Sequence, residues 1–95
     1  MKTREILFRA GYHEWDVFIG DECVYAFEDF SEDFNGDDTL AIVADMVDDF
    51  IYCMVEEKSD EDSRFYDDGF YITDEEKTEL KRQMVAKLGY HYLGI

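Results

Sequence analysis

HEWDVFI, residues 13–19, is the stretch whose reading decides the fold. Trp15, Val17 and Ile19 alternate with Glu14, Asp16 and Phe18, the two-residue period of a strand with one face buried. Turn signals flank it, Ala10-Gly11 before and Gly20-Asp21 after. Outward from there, EILFR (5–9) reads as the preceding strand. ECVYAF (22–27) reads as the following one, with Cys23, Tyr25 and Phe27 on one face. Connections this short join antiparallel neighbours, so the N-terminal third is expected to be an antiparallel meander of about three strands.

The period then changes. In FEDFSEDFNGDD (27–38), Phe27, Phe30 and Phe34 are spaced i, i+3, i+7. This predicts a short helical turn that ends at Asn35-Gly36 and turns Glu28, Asp29, Glu32 and Asp33 outward. Asp37-Asp38-Thr39 supplies a cap and acids for the next helix, expected over Thr39 to Glu57. Its buried stripe is Leu40, Val43, Val47, Phe50, Ile51 and Met54; Asp45, Asp48, Asp49, Tyr52 and Glu56 fall on the other side. After a polar loop at 58–63, RFYDDGFYI (64–72) predicts a hairpin turning at Asp68-Gly69. Thr73 to Leu88 reads as a second helix, with Thr73 and Glu76 at capping-box spacing, Gly89 beyond its end and Leu80, Met84 and Leu88 inward. Tyr90 to Leu93 could be a last strand or a docked tail. The expected class is α+β: an N-terminal antiparallel sheet packed by two α-helices, one domain over residues 1–95.

With 46% hydrophobic and 17% aromatic residues and no proline, the chain has the means to fold in spite of a formal charge of −16. The start, MKTREILFRAG, lacks the apolar core of a signal peptide, and no run approaches the roughly 18 apolar residues of a membrane span. A cytoplasmic protein without membrane contact is expected. Cys23 and Cys53 match no metal spacing and are expected to be free, buried thiols, with a single disulfide as the other reading.

The charge is concentrated. Residues 11–76 hold 23 acids against two bases, Lys58 and Arg64. Many of the acids are paired, as in Glu28-Asp29, Glu32-Asp33, Asp37-Asp38, Asp48-Asp49, Glu56-Glu57 and Asp67-Asp68, with triplets at 60–62 and 74–76. Solubility needs a net charge of only about 2 to 8 and a mixed surface. A surface of one sign steers a partner of the other sign.

Several chemistries fit poorly. Residues 33–44, DFNGDDTLAIVA, place Asp33, Asn35 and Asp37 at the first, third and fifth positions of a calcium loop. The sixth position has Asp38 instead of the turning glycine, and the twelfth has Ala44 instead of the bidentate glutamate. No metal or other cofactor is expected. His13 and His91 read as structural, and there is no phosphate loop or nucleophile motif, so the chain does not read as an enzyme. Direct nucleic-acid binding is disfavoured, because phosphate contacts require lysine and arginine.

A short chain with FEDFSEDFNGDD, repeated acidic doublets and an acidic central block resembles, at the level of class, the small DNA-mimic inhibitors of phages and mobile elements, of anti-CRISPR or antirestriction type. The resemblance implies an inhibitor that occupies the basic DNA- or RNA-binding groove of a nuclease such as a CRISPR effector or restriction enzyme. Its contact residues would be Glu28, Asp29, Glu32, Asp33, Asp37 and Asp38, continued by Asp45, Asp48, Asp49 and Glu56 on the long helix. The alternative is an immunity-type protein that neutralises a basic toxin nuclease by covering or flanking its catalytic site. Oligomeric state stays open, a dimer included. Self-repulsion has a measurable consequence: the melting temperature is expected to rise from low to physiological NaCl as screening grows. A flat or falling curve would mean that the acids are paired locally.

Overall fold

A computed structural model describes residues 4–10, 14–28 and 39–90. Strands β1 (Ile6–Ala10), β2 (Glu14–Ile19) and β3 (Glu22–Glu28) form a three-stranded antiparallel sheet in the order β1-β2-β3, followed by helices α1 (Leu40–Ser59) and α2 (Asp74–Leu88). The α+β class expected from the sequence is the class observed. Alternation sets the sheet faces: Ile6 and Phe8, then Trp15, Val17 and Ile19, are buried, while Leu7, Arg9 and Glu14 are exposed. Gly20 has φ 64° in the two-residue turn from Ile19 to Glu22, and Asp21 keeps a negative φ. That is the pattern of a type II′ hairpin, with glycine at its first central position.

The third strand departs from the expected pattern. Val17 pairs with Tyr25 but Phe18 pairs with Cys23, so Val24 is an extra residue in a bulge. The bulge shifts the phase of the strand. Tyr25 and Phe27 stay on the core side and Val24 is buried, but Cys23 moves to the outer face. Both thiols are free and exposed, a correction to the expected burial; Cys53 lies outside the buried stripe of α1. Phe27 also corrects the helical-turn reading, because the strand runs on through it to Glu28. Phe30 and Phe34 lie outside the described residues, as do His13 and His91.

Thr39 caps α1 as expected, accepting the Ile42 N–H. Val43, Val47, Ile51 and Met54 form its buried stripe and pack with Leu80, Met84 and Leu88 of α2 over the sheet. Leu40, assigned to that stripe from its spacing, is 43% exposed, because the core ends one turn short of the helix start. Lys58 continues the stripe instead. Its stem is buried, and its ammonium lies 5.7 Å from the Phe70 ring centre. Between the helices, 60–72 is a chain of turns and not a hairpin. The turn at Asp68-Gly69 forms, with Gly69 at φ 88° and the Phe70 N–H on the Asp67 carbonyl. The flanking aromatics, however, do not pair as strands: Phe70 packs against the core and Phe65 against Tyr25, while Tyr66 and Tyr71 are exposed.

Helix α2 is fixed to the sheet by polar side chains. The capping box is present: Thr73 accepts the Glu76 N–H, and Glu76 accepts the Thr73 N–H. Glu76 is only 1% exposed, and its carboxylate also takes Arg4 through Nε and Nη2, both at 2.9 Å. The Arg4 hydrogen bonds are the main reason its carboxyl is held down to about 2 from 4.5, against the opposing effect of burial. Two turns further on, Gln83 accepts the Phe8 N–H at 2.8 Å and donates to the Ile6 carbonyl at 2.7 Å. Lys87 donates to the Phe8 carbonyl. The amide of Gln83 acts as a peptide group would, and the open edge of β1 is paired without a further strand.

Glu76→Gln is expected to lower stability by about 2 kcal/mol, less than the usual cost of breaking a fully buried pair because Arg4 still reaches water. A carboxylate with a depressed pKa stabilises the fold above its unfolded value and loses that contribution as pH falls through the folded one. The decline in stability between about pH 4.5 and about 2 should therefore be shallower in Glu76→Gln. An unchanged profile in urea titrations would locate the acid-sensitive bonds elsewhere.

Candidate functional site

Helix α1 carries the most extensive described part of the acidic surface. Asp45, Asp48, Asp49, Tyr52 and Glu56 are all exposed, as their spacing predicts. They follow i, i+3, i+4, i+7 and i+11, a single stripe that runs about 16 Å along the axis at 1.5 Å per residue. The surface continues into the next turns through the exposed Asp60, Glu61, Asp62, Asp67 and Asp68. The sequence displays those acids as a triplet and a doublet, and the fold leaves all five exposed in the turns that follow α1. Of the other residues chosen from sequence, Asp29, Glu32, Asp33, Asp37 and Asp38 lie outside the described residues, and Glu28 is described only as the last backbone position of β3.

The members of the row differ. Asp48 accepts Lys81 of α2 at 2.7 Å, so its charge is partly neutralised within the chain. Lys81 lies outside the acidic block in sequence but adjoins it in space. Asp45 and Asp49 form no ion pair among the described residues. Tyr52, 65% exposed, bonds Glu56, and that bond raises the phenol above its ordinary value. It is a large ring within the row, of the kind that anchors protein interfaces. Glu57, on the flank, accepts the Tyr25 hydroxyl at 2.8 Å.

The two helices place their charges by different rules. In α2, Asp74, Glu75 and Glu76 occupy the first turn and Lys87 the last, in agreement with the helix dipole. In α1 the first turn has no acid, while Glu56 and Glu57 stand near the negative C-terminal end. Asp45 and Asp49 are like charges at i and i+4, an arrangement that weakens a helix. Asp45, Asp49, Glu56 and Glu57 are thus placed against the stability of their own helix, whereas Asp48 is paired with Lys81. Among the described residues, no group of three or more His, Cys, Asp or Glu could hold a metal ion, and no helix is long and apolar enough to cross a membrane.

If the row works against folding, neutralising it should stabilise the protein. Asp45→Asn or Asp49→Asn should each raise stability by roughly 0.2–0.5 kcal/mol, and Glu56→Gln by a similar amount, read as a higher urea midpoint at low salt. A lowered midpoint would show that these acids hold the fold together. No family model, curated protein or solved structure matches this chain, so the functional reading rests on the charge and geometry of the face itself.

Proposed function

We propose that the protein is an inhibitor that presents carboxylates in place of nucleic-acid phosphates and occupies the basic groove of a nucleic-acid-binding protein, such as a nuclease. The observation that supports this most directly is the exposed row on α1, held in an arrangement that its own helix does not favour. Four carboxylates over about 16 Å approach the density of one duplex strand, which carries a charge per roughly 3.4 Å. A groove that binds DNA presents rows of lysine and arginine at matching intervals. The helix is anchored through Val43, Val47, Ile51 and Met54, so the row is presented on a rigid backbone and little ordering is required on binding.

The described cations are engaged within the fold. Arg4, Arg9, Lys77, Lys81 and Arg82 form ion pairs, Lys87 bonds the β1 edge, and Lys58 and Arg64 lie over aromatic rings. Few remain to contact phosphate directly, and with all nine bases counted the net charge is still −16.

Affinity purification with mass spectrometry identifies the partner, and competition tests the mode. Excess duplex DNA should displace the partner, and binding should weaken steeply with salt. Asp45→Lys with Asp49→Lys should reduce affinity at least ten-fold, an order-of-magnitude expectation for lost charge contacts, while the fold persists. Glu5→Lys with Glu22→Lys, the same change in charge at the hairpin end of the sheet, should have much less effect. A ternary complex of partner, DNA and inhibitor, with the α1 double variant at full affinity, would overturn groove mimicry in favour of the immunity-type mode.

A further inference from the structure

Beside the C-terminal half of α1 lies a cleft of a different kind. Glu14, Tyr25, Phe27, Glu57, Arg64 and Phe65 line it. Its walls are aromatic: Tyr25 and Phe65 lie 4.7 Å apart between ring centres, and Tyr25 and Phe27 lie 5.9 Å apart. Behind them the rings continue inward, from Phe27 to Phe8 and from Phe8 to the buried Trp15, so the walls are anchored in the core. Two carboxylates, Glu14 and Glu57, complete the lining. The bond to Glu57 orients Tyr25, and burial together with that bond pushes its phenol up to about 12, so it remains a neutral donor.

Aromatic faces with carboxylates beside them suit a guanidinium. The ring quadrupole attracts the cation's flat face, and a carboxylate accepts its N–H groups. An ammonium is more strongly hydrated and cannot stack. The chain already places one guanidinium here: Arg64 lies over the Phe65 ring at 4.7 Å. Both bases of residues 11–76 lie over rings, Lys58 over the ring of Phe70 and Arg64 over that of Phe65, and of the two only Arg64 lines this cleft.

We propose that the cleft receives an arginine side chain of the basic partner, stacked on Phe65 and Tyr25 with Glu57 and Glu14 at its edge, and that Arg64 holds the position until that side chain displaces it. The inference rests on the reading of the acidic face as a surface for a basic protein. It adds what a row of carboxylates lacks. The row attracts lysine and arginine alike, whereas a ring-lined cleft selects arginine and provides a pocketed anchor.

The test is an NMR titration with N-acetyl-arginine amide and N-acetyl-lysine amide at low salt. The arginine probe is expected to shift Tyr25, Glu57 and Phe65 resonances saturably and to bind about three-fold tighter than the lysine probe. Phe65→Leu should weaken arginine binding about three-fold, and Arg64→Gln should tighten it about two-fold by removing the internal competitor. Lys77→Gln, which removes the same charge from α2, should leave it unchanged. The lysine comparison and the Arg64 variant keep the test decisive even if Phe65→Leu misfolds. Equal binding of the two probes, or shifts confined to Asp45, Asp49 and Glu56, would overturn the cleft while leaving the acidic face intact. If a hexa-arginine peptide also moved no resonance of α1, the functional reading would fail together with it.

Discussion

Nine bases must serve 25 acids, and the fold depends on where those few cations go. Six of the eight described ones, Arg4, Arg9, Lys77, Lys81, Arg82 and Lys87, belong to α2 or to the segment around β1. Two of them, Arg4 and Lys87, close one seam, while Arg9, Lys77 and Arg82 pair with acids of the sheet and of α2. Arg4 ties the N-terminal segment to Glu76 at the start of α2, Gln83 pairs the backbone of β1 and Lys87 completes the edge. A three-stranded sheet exposes two edges, and this seam pairs one of them through side chains. The apolar core then needs only to fill the space between a sheet and two helices already held together.

That use of the bases has a second effect. Cations engaged at the β1–α2 seam are not available to α1, so its acids face solvent with little local compensation. Asp48 shows the boundary between the two regions: where α1 comes within reach of Lys81, the acid is paired, and a residue further round, at Asp49, it is not. The acidic face and the polar seam are therefore two results of one distribution. A proposal that assigned the acids to solubility alone would have to explain why α1 has no acid in its first turn and two, Glu56 and Glu57, near its end, where the helix dipole disfavours them.

Much of the architecture was readable from period and punctuation. Trp15, Val17 and Ile19 gave β2, Gly20-Asp21 gave the hairpin, and Thr73 with Glu76 gave the start of α2, because each signal is local and each is observed. The bulge at Val24 was not readable: alternation continues through ECVYAF, and only pairing with β2 reveals the extra residue. The supposed hairpin at 64–72 failed for a related reason. Its turn residues are correct, but two strands also need an edge to join, and here Phe70 packs on the core alone while Tyr66 and Tyr71 stay exposed. The exposed acids of α1 followed from spacing, whereas the Asp48–Lys81 bond, the buried pair of Arg4 and Glu76, and the assembly of Glu14, Glu57 and Phe65 join positions far apart in sequence.

The concentration of bases on one side has a consequence for motion as well as for bonding. Among the described residues the α2 and β1 side is close to electrically balanced and the α1 side is strongly negative, so their charge has a direction as well as a sign. Near a basic surface the field both attracts the molecule and exerts a torque on it. On the proposed function the molecule would turn before it touches, and encounters would begin with α1 foremost. Orientation, which for most protein pairs is found by repeated unproductive collisions, is here partly settled during the approach.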